Sequence, residues 1–279
     1  MKVRQLGPAL CVFAASLLFS TGGLLMKLIP WQPLAINGVR NLIGAGVIGI
    51  WLLVTRHRLV FSRSVLVGAL SMMGVTTFFA VSNKLTTAAN AIVLQFTAPV
   101  FVILLMALLF HTKPDRTEVL TCALVLLGVL LFFVDGLRAG NWLGNLTAVL
   151  SGVCYAGVFM MNSGKNADAV SSCFLGQLAC GLILSPLALQ ETDFSAPVLI
   201  AVGFLGVFQV GLAYVLFSMG IRKVSAVAAS LIAGLEPVLN PLWVALFHGE
   251  TISPLSVCGA VLVVGTILAY NVYLARKKA

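Results

Sequence analysis

Residues 225–247 read SAVAASLIAGLEPVLNPLWVALF, and residues 87–110 read TAANAIVLQFTAPVFVILLMALLF. Each is an apolar run of helical length with a proline near its middle. Crossing ~30 Å of hydrocarbon at ~1.5 Å per residue takes about 20 residues, so either run is long enough to span a bilayer. Shifted by 138 positions the two superpose: Thr87 to Val93 falls on Ser225 to Leu231, and Thr97-Ala98-Pro99-Val100 falls on Leu235-Glu236-Pro237-Val238. A mid-helix proline removes the hydrogen bond to the carbonyl four residues back, here Gln95 and Ala233, and bends the helix. Pro241 adds a second break in the later run.

The correspondence extends outward. Lys84 meets Arg222, Phe79 meets Phe217 and Gly68 meets Gly206; after a one-residue slip Phe110 meets Phe247 and Gly128 meets Gly265. Apolar runs with polar breaks give ten candidate spans, about 8–28, 34–54, 65–82, 88–110, 117–135, 142–163, 169–189, 196–218, 225–247 and 253–273. The expected fold is an all-α membrane protein of ten transmembrane helices, built as two five-helix repeats over 1–138 and 139–279. Five is odd, so the second half enters the membrane from the opposite side and the repeat is inverted. The third run is the weakest, diluted by Thr76, Thr77, Ser82 and Asn83. Lys2 and Arg4 precede the first run as in a signal peptide, but its length reads as an anchored helix.

Composition agrees. Of 279 residues, 60% are hydrophobic and 9% charged, against roughly 25% charged in a soluble domain. A mean hydropathy of +1.09 excludes a sizeable soluble domain, disorder and a secreted disulfide scaffold. The net charge of +9 reports topology, because most of the charges lie between the apolar runs. With the N-terminus inside, cytoplasmic segments hold Lys2, Arg4, Arg56, Arg58, Arg63, Lys113, Arg116, Lys165, Arg222, Lys223, Arg276, Lys277 and Lys278. Outer loops hold Lys84 and Arg138. By the positive-inside rule both termini are cytoplasmic, in a plasma (inner) membrane, and the basic partner is anionic lipid rather than nucleic acid. The six cysteines all fall in apolar runs without a CxxC, where they act as small hydrophobes, and no cofactor or metal is expected.

Leu235-Glu236-Pro237 followed by His248-Gly249-Glu250, and Phe19-Ser20-Thr21-Gly22 leading to Lys27, resemble the drug/metabolite transporter superfamily, EamA-type branch. The chain departs from the pattern in its first half. Thr97-Ala98-Pro99 has no acid there, and His111-Thr112-Lys113 stands where a Gly-Glu would close the repeat. The resemblance implies a secondary transporter that mostly exports small metabolites such as amino acids, through a cavity lined by central helices of both halves.

The residues point to the same place. Glu236 is the acid well inside an apolar run, where a charge costs about 2.5–3.5 kcal/mol on insertion scales, so it faces protein or water. Two roles fit it equally: coupling to a proton or substrate cation, or holding backbone released at the kink. Arg40 lies six residues into its helix, about 9 Å down, and is expected to snorkel outward or to meet an anionic substrate or Glu236. Lys27, nearer the outer face, is expected to snorkel. Gln95, Asn240, Gln209, Ser20 and Tyr155 lie near mid-depth and want partners in hydrocarbon, as interhelical ties or as substrate ligands. Pro99, Pro237 and Pro241 are the expected gating kinks. Trp31, Trp51, Trp142, Tyr270 and Tyr273 read as interfacial belt, and Ala45/Gly49, Gly152/Ala156 and Gly265/Ala269 as close-packing pairs. The expected state is a monomer or homodimer.

Rival classes fare worse. Ser163-Gly164-Lys165-Asn166 lacks the other residues of a P-loop, and no HExxH or GxSxG occurs, so neither an ATP-driven pump nor an enzyme is expected. A channel, or a signalling or scaffold protein, is the alternative to an alternating-access exporter.

Overall fold

The computed structural model describes residues 6–27, 29–86, 88–133, 141–239 and 253–277, and these hold helices and no strand. The helices are α1 (Leu6–Ser20), α2 (Gly22–Lys27), α3 (Pro33–Val54), α4 (Arg63–Leu85), α5 (Ala88–Gln95), α6 (Ala98–Phe110) and α7 (Arg116–Phe133). They continue with α8 (Trp142–Phe159), α9 (Ala169–Leu184), α10 (Ala196–Phe204), α11 (Ala213–Gly220), α12 (Ala226–Ala233) and α13 (Pro254–Lys277). A 3-10 turn, Ser185–Gln190, finishes α9, and a π-helical segment, Leu205–Leu212, joins α10 to α11.

Seven helical stretches among the described residues are long and apolar enough to cross a membrane; Gly7–Ser20 and Ala226–Leu239 are apolar and shorter. The outer faces carry side chains no soluble protein would leave bare, among them Leu53, Leu108 and Ile200. The third run, despite its polar residues, forms a helix of 23 residues. Ser62 caps it by accepting from the Val65 N–H at 3.1 Å.

Small residues set how closely the helices approach. A Cβ added at Gly38 would lie 2.3 Å from the Leu184 carbonyl carbon, and one at Gly181 2.7 Å from the Leu42 Cα, so α3 and α9 pack antiparallel, backbone to backbone. Gly144 meets Leu85 and Gly157 meets Ser71, which sets α8 antiparallel to α4. Gly68 meets Ser172 and Gly176 meets Ala69, which sets α9 parallel to α4. The π-helical segment lies parallel to α3 through Gly206 on Ile43 and Gly211 on Val47. Further packed pairs are α1 with α11, α6 with α12, and α7 with α13. Gly265, expected at a close-packing face, has no atom within 4 Å of its Cβ direction.

Two aromatic expectations are corrected. Trp31 is buried, donates from Nε1 to the Asp193 carbonyl at 2.7 Å, and packs edge-on against Phe194, so it pins two loops together rather than facing lipid. Beside it the Gln32 N–H donates to Glu191 Oε1 at 2.8 Å. Tyr270 is buried in the core cluster. In each case a neighbouring element covers the ring, which position in an apolar run does not foretell. Trp142 is exposed, 73%, at the start of α8.

Candidate functional site

Both proline-bearing runs break three residues before the proline. α5 ends at Gln95, a turn follows at Phe96 and Thr97, and α6 restarts at Ala98 with Pro99 in its first turn. α12 ends at Ala233, Gly234 and Leu235 turn through i−3 bonds at 3.0 and 3.2 Å, and residues 236–239 resume the helix. Proline is comfortable in a first turn because its missing N–H has no partner to lose there. The carbonyl of Gln95, one of those expected to be released, lies where a Cβ on Gly152 would come within 2.9 Å, so α8 packs directly on the break.

The second break presents Glu236 to Tyr155 of α8, whose hydroxyl donates to Glu236 Oε2 at 3.0 Å. Aromatic rings gather around Tyr155. Tyr155 lies 6.0 Å from Phe96 and 4.6 Å from Phe159, Phe159 lies 5.6 Å from Phe217, and Phe19 lies 4.7 Å from Tyr214. All six rings are buried. Helices α1, α8 and α11 and the first break thus contribute to an aromatic cluster that includes the acid's hydrogen-bond donor, Tyr155.

Arg40 does not snorkel. It is buried, donates to Asn37 Oδ1 from Nε at 3.2 Å and from Nη2 at 2.9 Å, and to Gln209 Oε1 from Nη1 at 3.4 Å. The amide oxygens of Asn37 and Gln209 hold the guanidinium, and Glu236 and Tyr214 lie within electrostatic reach of it. The π-helical segment, whose wider turn is common at functional sites, delivers Gln209. Gln209 Nε2 donates in turn to the Phe19 carbonyl at 3.5 Å, linking the cationic cluster to the aromatic wall.

Glu236 with Tyr155, and Arg40 with Gln209, are therefore brought together. Ser20 is buried next to Phe19 and donates to the Leu17 carbonyl at 2.7 Å. Gln95 stands apart: its amide donates to Ser151 Oγ at 2.8 Å, and Ser151 donates to the Val75 carbonyl at 2.9 Å, tying α5, α8 and α4. Asn240, Pro241, the His248-Gly249-Glu250 motif and the Lys27 side chain lie outside the described residues.

Several groups escaped the sequence reading. Asn37 and Asn41 share a face of α3 with Arg40, and their spacing was a signal. Gln177 on α9 is fully buried with no hydrogen-bond partner for its amide among the described residues. Tyr214 and Phe217 looked like ordinary core. At one end of the bundle Asp168 caps α9, accepting from the Ser171 N–H at 2.9 Å, and also meets His57 Nε2 at 2.9 Å and Arg222 Nη2 at 3.1 Å. Burial alone would raise its carboxyl; the hydrogen bonds from Ser171 and His57 outweigh that and hold it below the usual carboxylate range.

The EamA-like transporter family model matches residues 6–134 and again 142–272. The chain is 32% identical over 191 residues to the uncharacterised transporter sll1319 of Synechocystis, covering 65% of this chain and 58% of that protein. It is 28% identical over 275 residues to the uncharacterised inner membrane transporter YedA of Escherichia coli, covering 91% of this chain and 87% of that one. The chain thus spans less than two thirds of the Synechocystis relative and most of the Escherichia coli one. A crystal structure of a protein 19% identical superposes with a TM-score of 0.80 over 94% of this chain and 96% of that chain, a likeness of fold. Two family matches on a bundle of apolar helices make this chain an integral membrane transporter of the EamA-like transporter family.

Proposed function

We propose that the protein is a secondary active exporter of small metabolites, amino acids or related compounds or small drug-like molecules, working by alternating access between two inverted five-helix halves. The observation that carries this reading is the pair of broken helices. α5–α6 and α12 with 236–239 break at the same offset from their prolines, α6 packs on α12, and a partly buried acid stands at the second break. Packing supports the inverted relationship. Exchanging each run for the one five places along turns the α4–α8 contact into the contact of α11 with α1, and the α4–α9 contact into that of the π-helical segment with α3. The α3–α9, α6–α12 and α7–α13 contacts exchange with themselves.

In this reading the halves are 1–138 and 139–279, both termini are cytoplasmic, and Glu236 carries a coupling proton or other ion. Arg40 and Gln209 meet an anionic group of the substrate. Ser20, Tyr155, Gln95 and Asn240 line or brace the route, and Pro99, Pro237 and Pro241 keep the central helices divided. The transporter works as a monomer or homodimer in lipid. The test is counterflow of a panel of radiolabelled neutral amino acids in proteoliposomes under an imposed pH gradient. Wild type is expected to show saturable, trans-stimulated uptake that follows the gradient. Glu236→Gln is expected to retain counterflow and to lose the gradient response. An unchanged response in that variant removes the coupling role, and non-saturable flux in wild type favours a channel.

A further inference from the structure

Three loops from both halves meet on one carboxylate. The segment 55–62 after α3, the segment 160–168 before α9 and the turn 221–225 before α12 all lie at the end of the bundle assigned above to the cytoplasm. Asp168 ends its own segment, where it accepts from Ser171 of α9, and it touches the first segment through His57 Nε2 at 2.9 Å and the last through Arg222 Nη2 at 3.1 Å.

The arms differ in strength. Loop 55–62 and the start of α4 are also fastened to the α8–α9 region by three other bonds: the Val60 N–H to Ser171 Oγ at 3.1 Å, Ser62 Oγ to the Asn166 carbonyl at 2.8 Å, and Ser64 Oγ to the Lys165 carbonyl at 2.8 Å. With the glycine-mediated contacts among α3, α4, α8 and α9, this makes a framework. The turn 221–225 packs Ile221 into the apolar core, but its one polar side-chain link to another element among the described residues is Arg222 to Asp168. The Arg222 side chain is 41% exposed and that of Asp168 10%. An ion pair this exposed is weak and its release leaves the guanidinium in water, which suits a contact made and broken in each cycle.

What Arg222 tethers is the start of a broken helix. Ser225 caps α12, which leads to the second break and Glu236. Between α12 and α6, at this same end, lies a cavity of ≈ 210 Å³ lined by Ile103, Met106, Lys113, Glu118, Ser225 and Val227 among others. It stands between the two broken helices, lined by apolar side chains and by Lys113 and Glu118.

We propose that Asp168 is a positioning residue of the transport cycle: its pair with Arg222 clasps the start of α12 to the α3–α4–α8–α9 framework, and parting the pair lets α12 swing and open the α6–α12 cavity toward Glu236. The proposal rests on the alternating-access reading given above. His57 and Ser171 keep Asp168 seated and ionised while Arg222 comes and goes. The clasp therefore sets how much of the population is open at this end, rather than whether the protein folds.

The test uses the full-length protein in proteoliposomes, with native cysteines replaced and Val227→Cys as reporter in the cavity. A second reporter, Leu25→Cys, stands in α2 at the other end of the bundle. Arg222→Ala is expected to raise the maleimide labelling rate at position 227 at least threefold and to lower it at position 25, while Arg222→Lys stays near the parent rate. Arg222→Gln replaces Arg222→Ala if the latter lowers the melting temperature. A rise at 227 with no change at 25 means that Arg222 only pins α12 locally and overturns its role in the cycle, whereas alternating access itself is judged by counterflow. An unchanged rate at 227 in a folded Arg222 variant overturns the clasp, and leaves alternating access to be judged by counterflow.

Discussion

Glu236 has one hydrogen-bond donor among the described residues, the Tyr155 hydroxyl. A fully buried acceptor that loses its donor forfeits about 1–3 kcal/mol, and the partly buried Glu236 forfeits less. Tyr155→Phe keeps the ring against Phe96 and Phe159 and removes only the hydroxyl. If the bond serves the transport cycle, initial transport rates fall roughly tenfold, the equivalent of ~1.4 kcal/mol, while the variant remains folded. A Tyr155→Phe protein with wild-type rates in proteoliposomes would show that the hydroxyl only braces α8 against the break. Arg40 illustrates the same scale from the other side. Its depth left two options, outward to water or inward to partners, and the amides of Asn37 and Gln209 decided it.

Breaks, rather than bends, distinguish the central elements. A proline inside a continuous helix costs about 3 kcal/mol, whereas Pro99 in a first turn costs little, so evolution to alanine would not be resisted on stability grounds alone. Pro99→Ala and Pro237→Ala each restore an N–H that can reach the carbonyl four residues back and fuse the two pieces. Transport is expected to fall at least tenfold in the double variant with the melting temperature held or raised. Full transport in that double variant would mean that the breaks are packing features. The Gly152 approach to the Gln95 carbonyl belongs with these elements, since a side chain there would push α8 off the first break.

For the whole molecule, the orientation proposed above places the Lys- and Arg-rich loops at one end of the bundle. Loops 55–62, 160–168 and 221–225 gather at one end through Asp168, and Trp31 and Gln32 meet Asp193 and Glu191 at the other. The basic residues concentrate at the first end and the acids Glu191 and Asp193 stand at the second. Fusions of green fluorescent protein are expected to fluoresce at either terminus, and alkaline phosphatase fusions to be inactive at both. Phosphatase activity at either terminus would overturn the orientation.

The apolar runs, the polar breaks between them, the paired prolines and the membrane setting were legible from residues alone, because transfer into hydrocarbon adds up along a short stretch of chain. The resemblance to the EamA-type branch came from the same stretches, and the two family matches agree with it. Which polar side chains meet was decided only by the tertiary structure. Gln95 and Tyr155 both looked like mid-depth polar groups, yet one ties α5 to Ser151 and the other reaches Glu236. Trp31 and Trp142 both stood at run ends, yet one is sealed under a loop and the other is bare. Asp168 drew no notice because His57 lies 111 residues before it and Arg222 lies 54 after. A helix's rotation about its own axis and its choice of neighbours are set by packing between elements far apart in the chain. Hydropathy, being a local sum, carries no term for either.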